Sequence, residues 1–254
     1  MKPGSPREKQ LLRGAALLVL CAVALQLVFA LRIALMNVLA PQSTTFQRSE
    51  AWRLLVEKQR LAWSQDWVDA DRIAPQLKRA VIASEDAGFV DHGGIEWDAI
   101  EKAWEKNQRA EQRAARARPA APASPGRRAV APKVVGGSTI TQQLAKNLFL
   151  SGERTVLRKG QEMVLTLMLE TLLGKPRILE VYLNSVEWGE GLFGAEAAAH
   201  HYFHVTAAQL SPMAAARLAV MLPAPKRFEK NPGSAYVAGR AATIVARMGA
   251  VELP

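Results

Sequence analysis

The chain has 254 residues, about half of them apolar, which is enough for one domain of ordinary size with a tail or anchor beside it. Its single cysteine, Cys21, excludes an intramolecular disulfide and a cysteine-rich zinc site. A net charge of +10 points to an anionic partner, nucleic acid or a phospholipid surface, and the lack of alternating β-branched or aromatic runs argues against an all-β fold.

The N-terminus carries Lys2, Arg7, Lys9 and Arg13, and no charged residue follows from Gly14 to Leu31. Within that run only Gln26 is strongly polar. Its eighteen residues would span about 27 Å as a helix, close to a hydrocarbon core of about 30 Å. Arg32 can snorkel, and the apolar run resumes to Ala40. The run is longer than the core of a cleaved signal peptide, and Pro41 follows its one tidy small-residue end. This predicts a basic head at 1–13, a transmembrane anchor at 14–40 and a domain at 41–254. The positive-inside rule puts the head in the cytoplasm and the domain outside.

Beyond the anchor, Ser49 to Gln65 reads as an amphipathic connector and Gln76 to Ser84 as a short helix. The stretch 107–134 is rich in Ala, Arg and Pro and is expected to be a flexible excursion. The segment from Lys102 to Lys133 holds nine bases and two acids, so it supplies seven of the ten net charges. A solvated linker explains it, and so does contact with anionic lipid. Ser138 is the expected cap of a helix through Leu148, and a longer helix is expected from Glu153 to Leu173, ended by Gly174-Lys175-Pro176. Further helices fit 177–183, 194–202, 207–221 and 234–248, and no strand is expected. The fold class is mainly α.

Three clusters invite chemistry. In Glu85-Asp86-Ala87-Gly88-Phe89-Val90-Asp91-His92-Gly93-Gly94, Glu85 follows an apolar turn whose burial would raise a carboxyl pKa toward general-base range. A polar helix end with a satisfied His92 accounts for the same residues. In the second, Gly136 and Gly137 precede Ser138, Thr139, Thr141, Gln142, Gln143, Lys146 and Asn147. Glycines before a helix N-terminus suit an anion, and Lys146 could meet a pyrophosphate; an ordinary cap is the plainer reading. In the third, Arg154, Arg158 and Glu162 recur every four residues with Lys159 beside them, and Gly160 weakens the helix. That stripe suits a phosphorylated ligand or a solvated face. His200, His201 and His204 have helical spacing but no acid placed to complete a metal site.

Together these clusters resemble the successive motifs of the peptidoglycan glycosyltransferase family, glycosyltransferase family 51. The Glu-Asp, Phe and His-x-Gly pattern falls on Glu85, Asp86, Phe89, His92 and Gly94. The Gly-x-Ser-Thr-Ile-x-Gln-Gln-x-x-Lys-Asn pattern runs from Gly136 to Asn147, and Arg-Lys-x-x-Glu from Arg158 to Glu162. Ile-Leu-Glu-x-Tyr-Leu-Asn is Ile178 to Asn184, and Gly191 to Ala198 resembles the segment that follows. The resemblance implies a lysozyme-like helical glycosyltransferase domain. It implies Glu85 as the base that activates the acceptor sugar hydroxyl, and Glu162 as the second important carboxylate. It places Ser138, Thr139, Gln142, Gln143, Lys146, Asn147, Arg154, Arg158, Lys159 and, by spacing alone, Arg240 around the donor.

The implied reaction joins lipid II units into β-1,4 glycan strands with release of undecaprenyl pyrophosphate, at the inner membrane, with the domain periplasmic. No cofactor is required by the sequence, no metal ligand set is assigned, and a divalent cation (Mg or Mn) at the pyrophosphate stays open. Partners would be lipid II, the growing strand, inner membrane lipid and cell-wall synthesis or division proteins, with no nucleic acid. Gln161 departs from relatives that carry a cation there, so one phosphate contact would be lost. Glu180 and Tyr182 are expected to hold helices together. A muramidase-like hydrolase and a non-enzymatic scaffold are the competing classes. No Ser-x-x-Lys or Lys-Thr-Gly occurs, so a second, transpeptidase activity is not expected.

Overall fold

The computed structural model describes residues 6–98, 101, 105, 106, 108–110, 112, 137–153 and 155–254. The excursion expected at 107–134 therefore lies almost wholly outside the described residues, as does Arg154.

Helix α1, Pro6–Leu35, contains a stretch long and apolar enough to cross a membrane, and no residue of its most apolar window is buried. The helix begins inside the basic head and ends before Ala40, because turns at Met36 to Val38 close it. Helix α2, Thr45–Lys58, replaces the expected connector from 49. Thr44 starts it with a capping box, its hydroxyl accepting from the Gln47 amide while Gln47 Oε1 accepts from Thr44 N–H. Helix α3, Pro75–Glu85, has proline in its first turn, where no amide partner is lost.

Helix α4, Ile140–Phe149, is capped by Thr139 and not by Ser138. Thr139 is extended and forms a capping box with Gln142, whereas Ser138 lies one residue too early to reach the third amide. Helix α5, Val156–Leu172, starts later than expected because Thr155 caps it. Gly174 then serves as the N-cap of α6, Lys175–Ser185, so the Gly-Lys-Pro signature opens a helix as well as closing one. Helices α7 (Ala195–Phe203), α8 (Pro212–Met221), α9 (Pro225–Phe228) and α10 (Ala235–Met248) complete the chain. The expected helix at 207–221 is a short 3-10 turn, Ala207–Gln209, followed by a new helix that Ser211 caps.

A small sheet is present where none was expected. Strands β1 (Ser64–Gln65), β2 (Glu187–Gly189) and β3 (Leu192–Phe193) lie in the order β1-β3-β2, parallel then antiparallel. Two or three residues are too few to leave a readable alternation. Gly191 turns the chain between β2 and β3 at φ +71°, and a Cβ there would lie 2.1 Å from the Ala62 carbonyl oxygen.

The core is continuous. Helix α3 packs against α8 and α10, α4 against α5 and α6, and α2 lies over α4. Phe89, Tyr182 and Trp188 are fully buried within it. The C-terminal end of α1 joins this core through Ile33 and, just beyond the helix, Met36, both buried. The protein is thus mainly α, one helical domain docked on one long apolar helix.

Candidate active site

Glu85 is the last residue of α3, at the bottom of a helix whose buried face is Leu77, Ala80, Val81 and Ile82. Its carboxylate accepts a hydrogen bond from Gln143 Nε2 at 3.0 Å. Gln143 is held by its other end, since Tyr182 donates to Gln143 Oε1 at 2.9 Å. Burial raises the Glu85 pKa above the usual carboxylate range, and the Asp86 charge adds to this, while hydrogen bonds from Gln143 and Ser84 oppose it. Tyr182 is pushed well above its ordinary value by burial and by the charges of Glu85 and Asp86, so it stays a donor. Tyr182 therefore does tie helices together, and it also orients the amide that Glu85 faces.

Asp86, the neighbouring acid, has a different job. Its Oδ2 accepts from Ile140 N–H at 2.9 Å, satisfying a free amide at the start of α4. Its Oδ1 lies 2.8 Å from His92 Nε2, and His92 Nδ1 accepts from Gly94 N–H at 3.0 Å. With Nδ1 accepting, Nε2 carries the proton and donates to Asp86. Among the described residues Asp86, His92 and Glu96 bring three metal-type donors together. The tautomer leaves no ring lone pair for an ion, so the histidine is a satisfied structural group. Gly94 is required here: it has φ +85°, and a Cβ would lie 2.7 Å from Thr166 and Glu170 side-chain atoms. Its carbonyl accepts from Thr139 Oγ1 at 2.6 Å. The first two motifs are thereby stitched together, and Thr139 spends its hydroxyl on that bond and its cap.

Beside this stitching opens a cavity of about 370 Å³, lined by Phe46, Ser138, Gln142, Gln143, Lys146, Asn147, Ser151, Glu153, Arg158, Lys159 and Glu162. Eight of the sequence-predicted residues thus converge on one space; Thr139 does not line it. Glu162 is buried on α5, and Arg158, one turn before it, donates from Nη1 to its Oε2 at 2.7 Å. Lys159 pairs with the other carboxylate oxygen. Arg158 Nε is buried with no hydrogen-bond partner among the described residues. Lys146 reaches the same space from α4. Loss of water lowers its pKa most; Glu162 opposes that shift, and the like charges of Arg158 and Lys159 reinforce it. The cavity therefore holds three cations against the buried Glu162 and the exposed Glu153, and this net positive lining would favour a polyanion.

Gln161 does not face the cavity. It exchanges two hydrogen bonds with Gln26 of α1, at 3.0 and 3.1 Å. Arg240 is also apart from the donor-type cluster. It lines a second cavity, of about 510 Å³, with Ser84, Arg227, Phe228 and Tyr236. Sequence reasoning missed Phe46 and the aromatic and basic lining of that second space, because those residues sit outside every motif. Ser84 precedes Glu85, and Gln143 holds it, so one neighbour of Glu85 opens to each cavity. Asn184, the last residue of the fourth motif, receives Val68 N–H at 3.0 Å and donates to Val68 O at 2.9 Å, a structural clamp. His200 pairs with Glu196 one turn earlier on α7, away from both cavities.

The sequence matches the transglycosylase family over residues 54–117 and 126–249, together most of the chain. A biosynthetic peptidoglycan transglycosylase of Paraburkholderia phytofirmans is 52% identical over 223 residues, covering 88% of this chain and 85% of its own. One of Burkholderia pseudomallei is 53% identical over 232 residues, covering 91% and 83%. One of Paraburkholderia xenovorans is 49% identical over 239 residues, covering 94% and 91%.

Proposed function

From the premise that this chain belongs to the transglycosylase family, we propose that it polymerises lipid II into β-1,4-linked glycan strands, with Glu85 as the general base. The observation that carries the reading is a cationic cavity lined by Lys146, Arg158 and Lys159 around Glu162, whose wall residue Gln143 is hydrogen-bonded to Glu85, while Ser84, the residue before Glu85, lines a second cavity. A transfer between two lipid-linked sugars needs two such spaces; a hydrolase needs one sugar site and a water.

Glu85 takes the proton from the acceptor 4-hydroxyl. That oxygen attacks the anomeric carbon of the growing chain, the glycosyl–phosphate bond breaks, and the configuration inverts. Undecaprenyl pyrophosphate leaves with the electron pair. Its developing charge falls on Lys146, Arg158 and Lys159, the last two held by ion pairs to Glu162, in a site partly withdrawn from water. The unpartnered Arg158 Nε suits a phosphate oxygen. The residues present fit a resident divalent ion poorly, because both oxygens of Glu162 are taken by cations. A Mg or Mn ion would have to arrive with the pyrophosphate, and no step here depends on one.

The exposed apolar helix and the basic residues before it support a single-pass anchor in the inner membrane, with its N-terminus cytoplasmic and the catalytic domain periplasmic. The test is polymerisation of lipid II by wild type, Glu85→Gln and Glu162→Gln. Loss of about a hundredfold or more in kcat is expected for Glu85→Gln, within the usual range for a general base. Degradation of existing glycan instead of synthesis would assign a hydrolase, and full activity of Glu85→Gln would remove the base from Glu85.

A further inference from the structure

Gln26 is the one strongly polar residue between Gly14 and Leu31, and it stands about 8 Å, five residues, inside the outward end of that apolar run. An amide in hydrocarbon must find a partner. Here both halves are satisfied, with Gln26 Nε2 donating to Gln161 Oε1 and Gln161 Nε2 donating back to Gln26 Oε1. Gln161 directly precedes Glu162 and lies within one turn of Arg158.

A second directional contact fixes the geometry. Asn37 Nδ2 donates to the Leu172 carbonyl at 2.9 Å. Eleven residues separate Gln26 from Asn37, and eleven separate Gln161 from Leu172. The anchor and α5 therefore run parallel, side by side, through three turns. Between these two bonds the residues that the anchor and α5 turn toward each other are apolar, with Leu27, Ala30 and Met168 lining one cavity, while Arg32 over the Phe149 ring and Arg177 Nε on the Met36 carbonyl tie the anchor to α4 and α6. Apolar contacts tolerate sliding; a reciprocal amide pair does not.

We propose that the Gln26–Gln161 pair is a positioning contact, which fixes the height of Glu162 and its cations against the bilayer in which the anchor sits. It rests on the reading above, in which the donor pyrophosphate is carried by a membrane lipid. A slip of one turn would move the cationic cluster by about 5.4 Å relative to that lipid. It also explains the departure at position 161: the side chain there serves the anchor and leaves phosphate binding to Arg158, Lys159 and Lys146.

The experiment uses the full chain in phospholipid vesicles with lipid II as substrate. Variants are Gln26→Leu, Gln161→Leu, the pair of them together, and Gln26→Glu. Each leucine variant is expected to lose about tenfold in kcat/KM, and the double variant no more than either alone. Gln26→Glu, which in its neutral form can still donate and accept, recovers most of the rate that Gln26→Leu loses. Single variants within twofold of wild type, losses that multiply in the double variant, or a Gln26→Glu no better than Gln26→Leu would each overturn the proposal. So would a loss that merely follows a fall in unfolding temperature. Failure of the wild type to polymerise lipid II would instead strike the function itself.

Discussion

At the scale of single residues the site is a contrast between two adjacent acids. Asp86 is spent on Ile140 N–H and His92, whereas Glu85 faces the Gln143 amide and has a raised pKa. A base works only when ionised, so activity should rise with pH through the raised Glu85 pKa. Gln143→Leu removes a bond that lowers this pKa, so the acid limb of the pH–rate profile should move to higher pH. A profile that stays in place would separate Gln143 from the ionisation of Glu85. A second raised carboxyl lies away from chemistry. Burial pushes Glu187 up to about 7, with Glu50 and Glu229 adding to the rise and Lys226 opposing it. Its folded pKa exceeds the ordinary 4.5, so the folded state binds the extra proton between those values. Stability from this group is full below about 4.5 and lost as pH rises through 7. Glu187→Gln should therefore flatten the fall in unfolding temperature between pH 5 and 8, with a gain at pH 8 of at most about 3 kcal/mol.

At the scale of elements, helix starts decide where the site residues point. Thr139 caps α4 and also holds Gly94, so Thr139→Ala removes a cap and a bond between two motifs. Its cost should be about 1–2 kcal/mol in chemical denaturation, against a few tenths for exposed Ser138→Ala, which neither caps nor bridges. Equal costs would return the cap to Ser138. The motif spacing made α4 and α5 legible as helices, because their apolar periods and caps are local. The cap itself was displaced by one residue, since Ser138 and Thr139 are both good caps and only backbone geometry chooses between them. The β strands were illegible: their pairing joins Ser64 to Leu192, far apart in sequence and too short for a pattern.

At the scale of the whole molecule the anchor is more than a tether. Ile33 and Met36 are buried in the domain core, Phe29 meets Phe149 edge-on at 5.3 Å, and Arg177 Nε donates to the Met36 carbonyl at 2.7 Å. Removing residues 1–40 should uncover these surfaces. Burial of two large side chains stabilises by roughly 3–6 kcal/mol, so the unfolding temperature of 41–254 should fall by at least about 5 °C relative to the full chain in the same detergent. An unchanged temperature would mean the anchor merely tethers. The sequence by itself determined the long apolar helix, the helical class, and the motifs that name Glu85, Glu162 and the cations, because period, composition and short spacing are carried by neighbouring residues. Only the tertiary structure decided that Asp86 and His92 are structural, that Arg240 opens to a second cavity, and that Gln161 faces Gln26. The Asp86–Ile140 and Gln26–Gln161 contacts join groups 54 and 135 residues apart, and even for the His92–Asp86 pair, six apart, no local pattern encodes the direction in which a side chain finds its partner.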